Sequence, residues 1–265
     1  MSTEIRFLGT AAFELIGPDQ RILIDPFLSG NPLSENGPDD LETPDVILVT
    51  HAASDHLGDA AAIAKRTGCR VVCGADVRLH LMDAGVDSKQ IQASIWGVVI
   101  EVNGVRVRPV ECHHWSVAER ADGSLVTGTP LSFIVEPEPG IRVYHYGDTA
   151  IFDMSLLDEL YQPNVALLGC TQPFEIEDHS VAGRQVTGEM SPDEAALAAE
   201  MLGVDIAIGC HFISRNPDLD EFLEKVEARD TSGRRVGLVL DPGETLSVEV
   251  EAGGGLTTKR SGSGG

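Results

Sequence analysis

The sequence predicts an α/β fold, and three observations carry that reading. Apolar runs of strand length alternate with segments of helical composition through most of the chain. Stretches rich in Gly, Pro, Asn and Asp punctuate the alternation. Several of the strand-like runs end in His or Asp, and in open α/β architectures ligands collect outside such ends.

In order, EIRFLGTAAFELIG and RILIDPF read as strands joined by the turn GPDQ. A loop, SGNPLSENGPDDLETP, precedes the buried-type strand DVILVTH. LGDAAAIAKRTG is helical with a Gly stop, CRVVCG a strand, and DVRLHLMDAGV a second helix. VVIEVNGVRVRPVE forms a hairpin across Asn103-Gly104, the pair that suits a type I′ turn. LSFIVEP and IRVYHYGD are further strands. DMSLLDELY is a helix, NVALLGC a strand, and SPDEAALAAEMLG a helix with Ser191 as N-cap, Pro192 at its first position and Gly203 as its stop. DIAIGCH is a strand, DLDEFLEKVEAR a helix, and RRVGLVLDPGETLSVEV a closing strand pair. The expected organisation is one domain over residues 1–250 and a flexible Gly/Ser-rich tail over 251–265.

With 265 residues, 42% of them hydrophobic, the chain can bury a sizeable core. No apolar run reaches the length of a membrane span, and the N-terminus has no basic head or apolar signal core. A cytoplasmic location is the expectation. Five dispersed cysteines suit reduced thiols better than disulfides. The formal charge of −23, from 19 basic and 42 acidic residues, leaves few cations for phosphates. It argues against a nucleic-acid partner and against an anionic membrane surface.

The sharpest chemical signal is Thr50-His51-Ala52-Ala53-Ser54-Asp55-His56, between an apolar strand and a helix. A rigid scaffold can aim two imidazoles and a carboxylate from such a loop at one point, and zinc, manganese and iron accept that ligand set. Taken alone, the segment also reads as a polar loop with a helix cap. His113 and His114 follow RVRPVE, Asp148 ends YHYGD, and His211 follows DIAIGC. Four strand ends finishing in His or Asp point to a shared metal site rather than to four separate caps.

These segments, together with GTAAFEL, RILIDPFLSGNP, LYQPNVALLG and DPGET, resemble the metallo-β-lactamase superfamily over almost the whole chain. Within it, the likeness is to the branch of L-ascorbate-6-phosphate lactonase and related metal-dependent hydrolases. C-H-H-W-S also resembles a segment of the N-acyl-phosphatidylethanolamine phospholipase D-like branch, which places the third family histidine at His114. The resemblance implies an αββα sandwich, two mixed sheets with helices on the outer faces. It further implies two metal positions: one held by His51, a second histidine, His114 and Asp148, the other by Asp55, His56, His211 and Asp148. The chain departs from the pattern at Ala53, where the family has that second histidine. One ion or two is therefore the alternative the resemblance leaves, with His113 or Cys112 as substitutes for the missing ligand. Zinc is the expected metal, with manganese and iron as the others.

A bound divalent ion lowers the pKa of its water from about 15.7 to about 7, supplying hydroxide at neutral pH. Asp55 can orient that hydroxide or take its proton. His113 is either a general acid for the leaving group or a surface residue. Asp25, in LIDP, is expected to orient a ligand histidine. The loop FEIEDHSVAGRQVTGE, with His179 and Arg184, is a candidate lid whose arginine would reach an anionic substrate. His145 reads as structural, His80 as exposed.

The leading functional expectation is a hydrolase of a small molecule: a lactone, amide or related acyl compound. A phosphodiester hydrolase is the nearest rival. From other classes, a di-iron oxidoreductase and a metal-free, non-catalytic relative are the alternatives. A homo-oligomer is expected from the resemblance alone.

Overall fold

The computed structural model describes residues 2–171, 189–251 and 253–261. Along the chain run β1 (Ser2–Gly9), β2 (Ala12–Ile16), β3 (Arg21–Ile24), β4 (Val46–Leu48), α1 (Ser54–Leu57), α2 (Ala60–Thr67), β5 (Arg70–Cys73), α3 (Ala75–Asp83) and β6 (Ile91–Ala93). The middle adds β7 (Ile100–Val102), β8 (Val105–Val110), β9 (Ser116–Glu119), β10 (Leu125–Gly128), β11 (Ser132–Glu138), β12 (Ile141–His145) and α4 (Ser155–Tyr161). The last part holds β13 (Val165–Gly169), α5 (Pro192–Met201), β14 (Ile206–Cys210), α6 (Pro217–Ala228), β15 (Val236–Val239), β16 (Thr245–Val250) and β17 (Leu256–Ser261).

Two mixed sheets result. One has the order β17-β16-β1-β2-β3-β4-β5-β6, the other β15-β14-β13-β12-β11-β8-β7. β9 and β10 form a separate ribbon. Strand alternation sorts the first sheet's side chains between two cores. Val46, Leu48 and Val72 join the core between the sheets, while Ile47, Val49, Val71 and Cys73 pack with Ile63 and Ala64 of α2 and Val77 and Leu81 of α3. On the other side of the molecule, α5 and α6 contribute Ala195, Ala198, Leu219 and Phe222 to the larger core. β13 and β14 are buried on both faces and parallel to their neighbours, which explains their unbroken apolar sequences. This is the αββα layering expected from the sequence.

Local signals act where they were read. Asn103 and Gly104 both take positive φ, at 50° and 84°, between β7 and β8. Ser191 and Glu194 close a reciprocal capping box at the start of α5.

Three expectations need correction. The segment expected to be a closing strand pair divides between the sheets. β15 runs parallel to β14, whereas β16 pairs antiparallel with β1. The DPGE turn makes the crossing, held by Gly243 N–H to Phe7 O (2.7 Å) and Phe7 N–H to Glu244 O (3.1 Å). Next, the stretch from 251 expected to be a flexible tail contains β17, paired with β16 from Thr245↔Ser261 to Val250↔Leu256. Its glycines serve as a hairpin turn, with Gly254 at φ 85°. Finally, Asp55 and His56 sit on a one-turn helix, α1, rather than in a loop. Gly58, at φ 39°, separates α1 from α2, and only glycine fits there because a Cβ would lie 2.4 Å from Pro26 O.

Candidate metal centre

Asp25 follows β3 and is fully buried. Its Oδ1 accepts from Thr50 N–H (2.8 Å), and its Oδ2 accepts from the Thr50 hydroxyl (2.7 Å) and from His56 Nδ1 (2.7 Å). The Thr50 hydroxyl spends its one hydrogen on the bond to Asp25, so its oxygen accepts from His51 Nδ1 at 2.9 Å. Across the pocket, Glu189 Oε2 lies 2.8 Å from His211 Nδ1. This chain of partners holds a proton on Nδ1 of all three imidazoles and turns their Nε2 atoms into the site.

The Nε2 atoms converge on Asp148. Its Oδ2 lies 2.9 Å from His56 Nε2, 3.4 Å from His211 Nε2 and 3.9 Å from His51 Nε2. Asp55 Oδ2 lies 3.4 Å from His211 Nε2 and 3.9 Å from His56 Nε2. Asp55, His56, Asp148 and His211 form one group whose ligand atoms all lie within 4.8 Å of one another, and His51, His114 and Asp148 form a second. The His51 and His114 rings meet edge to face at 4.8 Å.

These donors fit a cation. His51 Nε2 and Asp148 Oδ1 are buried with no hydrogen-bond partner among the described residues, a costly arrangement unless positive charge sits among them. Protons show the same demand. Burial opposes charge on His56, yet Asp148 and Asp25 raise its pKa well above the imidazole range. His211 is likewise raised against burial, by Asp148 and Glu189. Burial and the neighbouring His56 push His51 well below. Asp148 is held well below the carboxylate range by His211 and His56 despite its burial. A cation entering the site displaces those protons.

The backbone works to present these groups. Asp25, Asp148 and His211 occupy positive φ, at 46°, 61° and 61°, a conformation that non-glycine residues adopt at a cost of about 1–3 kcal/mol. His211 N–H is anchored to Thr10 O at 2.7 Å. Tyr146 is fully buried beside the site, its ring fitting the space where a Cβ on Gly169 would stand 2.4 Å from Cζ.

Six of the residues singled out in the sequence are thus brought together: His51, Asp55, His56, His114, Asp148 and His211. Asp25 stands behind them on His56. His113 is not in either group. Its Nε2 lies 2.7 Å from Glu111 Oε1, it stacks on Phe152 at 4.6 Å, and its side chain is 45% exposed. Cys112, also outside both groups, donates to Gly147 O at 3.0 Å. His179 and Arg184 lie outside the described residues. His145 is buried with Nε2 on Ala11 O at 3.0 Å, and His80 is half-buried against Glu119 O at 3.1 Å. All five cysteines are free and buried. Among the described residues no helix is long and apolar enough to cross a membrane.

Sequence reasoning missed Thr50 as a relay, Glu189 behind His211, and the buried pair Ser116–Asp76. Only Thr50 carried a signal, adjacency to His51. Glu189 and Asp76 are acidic residues in an acidic chain, and nothing local marks them.

The beta-lactamase superfamily domain matches residues 20–212. The chain belongs to the metallo-β-lactamase superfamily. It is 39% identical over 246 residues to the UPF0173 metal-dependent hydrolase of Methanopyrus kandleri, covering 91% of this chain and 98% of that one. The UPF0173 metal-dependent hydrolase of Thermococcus onnurineus is 38% identical over 250 residues, with 92% and 99% covered. Among solved structures, the metallo hydrolase Igni18 of Ignicoccus hospitalis superposes with a TM-score of 0.73 at 27% identity, covering 95% of this chain and all of that one. This superfamily member is therefore a metal-dependent hydrolase, with a His/Asp cluster that could hold the metal.

Proposed function

We propose that the protein hydrolyses a small acyl compound, a lactone, amide or relative, at a cation held principally by Asp55, His56, Asp148 and His211. Zinc suits this mixture of imidazole and carboxylate best, and manganese and iron are the other candidates. The observation that carries the reading is the uneven exposure of the set. The Asp55 side chain is 36% exposed, against 0% for His56, 4% for Asp148 and 3% for His211. Three ligands close the site from below while one carboxylate faces the opening.

When bound, a divalent ion supplies an acidified water and a Lewis acid for the substrate carbonyl. Asp55 accepts the proton of the attacking water at its exposed carboxylate. Asp25 and Glu189 keep the Nε2 atoms of His56 and His211 in place. The other group, His51, His114 and Asp148, lacks an imidazole at Ala53, which makes it the weaker position. Trp115, 42% exposed and stacked on His114 at 4.5 Å, offers an apolar wall to a neutral substrate. The charge of −23 favours a neutral substrate over a polyanion such as nucleic acid. The buried free thiols support a reducing, cytoplasmic compartment.

A panel of chromogenic lactones, esters, amides and phosphodiesters, each with and without chelator, tests the reading. Turnover of a lactone, ester or amide that chelator abolishes and zinc restores is the expected result. Chelator-sensitive turnover of phosphodiesters alone would replace the acyl reading with the phospholipase-like one. An intense visible absorption from the purified, iron-loaded protein would point instead to di-iron chemistry.

A further inference from the structure

A second cavity, of about 260 Å³, opens on the face of the second sheet opposite the inter-sheet core. Along β8, Val105 and Val107 point into that core, so the alternating Arg106 and Arg108 stand on the other face. Arg142 of β12 joins them in the cavity wall, with Tyr161 at the end of α4. Three guanidiniums thus line one small space in a chain with only 19 basic residues.

None of the three forms an ion pair among the described residues, whereas Arg21, Arg120 and Arg229 elsewhere all take carboxylate partners. Two of them are nevertheless held in place. The Arg108 guanidinium lies 4.1 Å from the centroid of the Tyr161 ring. Arg142 Nε donates to Gln162 O at 2.6 Å. Glu136 is the cross-strand neighbour of Arg106 and lines the same cavity. Its Oε1 accepts from Gly140 N–H at 3.4 Å, and it pairs with neither Arg106 nor Arg142. Like charges gathered in a concave wall repel, and acidic residues that could have discharged them are abundant in this chain. A mobile anion removes that repulsion.

We infer that this cavity binds the phosphoryl group of a small molecule. Three arginines less one glutamate leave two positive charges, which matches the roughly −1.5 to −2 of a phosphate monoester at neutral pH. Guanidinium forks meet phosphate oxygens in pairs. The volume lies just below the usual range of about 300–1,000 Å³ for ligand sites, suiting a phosphoryl group with a short carrier.

Calorimetric titration of the full-length, chelator-treated protein with an inorganic phosphate, pyrophosphate, and an organic one, glycerol 3-phosphate, tests the inference. Chelation removes the metal centre as a competing phosphate site. Binding of either ligand by the wild type, weakened about tenfold or more in the Arg106→Gln/Arg142→Gln double variant, is the expected result. The zinc content of that variant, measured before chelation, should equal that of the wild type. Arg106 is exposed, so Arg106→Gln alone serves if the double variant fails to fold, with about threefold weakening expected. Wild-type dissociation constants above about 10 mM for both ligands would overturn the inference. So would equal affinity in wild type and variant, or citrate binding as tightly as either phosphate.

Discussion

The Ser116 hydroxyl donates to the buried carboxylate of Asp76 and accepts the backbone N–H of Ala52 at 3.0 Å. That single oxygen ties together α3, the segment carrying His51, and the segment carrying His114. Both side chains of the relay are inaccessible, with Asp76 at 0% and Ser116 at 2% exposure. Ser116→Ala removes two hydrogen bonds and strands a buried carboxylate oxygen. The expected cost is about 1–3 kcal/mol, read as a lower urea midpoint. Unchanged stability would show that water or a neighbour replaces the hydroxyl without penalty.

Glu189 holds His211 Nδ1 at 2.8 Å, so its removal frees the ring to turn and weakens the donor at Nε2. Glu189→Ala should reduce zinc affinity by about 10–100-fold, measured in competition with a chromophoric chelator. Affinity within twofold of wild type would remove Glu189 from the site's support.

Ala53 precedes α1 in extended conformation, with φ −62° and ψ 146°. An imidazole at that position completes the second ligand group. Ala53→His should therefore increase bound zinc per chain from one toward two. The same stoichiometry in both proteins would mean that the second position is already filled, or does not form.

His145 supplies a pH dependence away from the ligands. Burial lowers its pKa below the ordinary imidazole value of 6.5. The folded state thus binds fewer protons at this ring than the unfolded chain does. Stability from this residue is complete above the unfolded pKa and is lost as pH falls through the folded one. His145→Gln should flatten the decline of urea stability below pH of about 6.5 in metal-loaded protein. A slope equal to that of wild type would assign the decline to other groups.

The candidate site was largely legible because its ligands end apolar runs. His51, Asp148 and His211 each follow a strand whose composition announces it, and the polar residue stands out against that background. The capping box of α5 and the Asn103-Gly104 turn were readable for the same reason, since their partners lie within a few residues. What failed was long-range assignment. Nothing in VGLV or TLSVEV says that one joins β14 and the other β1. Pairing is decided by packing across the whole molecule rather than by local composition. The glycines before β17 look identical whether they serve a linker or a turn, and Glu189 resembles any other surface acid.

The left-handed backbone at Asp25, Asp148 and His211 has an evolutionary consequence. Glycine would relax the backbone at each position, so selection for thermal endurance alone rewards replacing Asp148 and His211, which would hold the ion, whereas Asp25 is retained by its hydrogen bonds to Thr50 and His56. A laboratory lineage evolved for heat tolerance without an activity screen should drift toward glycine there and emerge sturdy but inert. Persistence of Asp148 and His211 in a natural lineage is then a record of continued use.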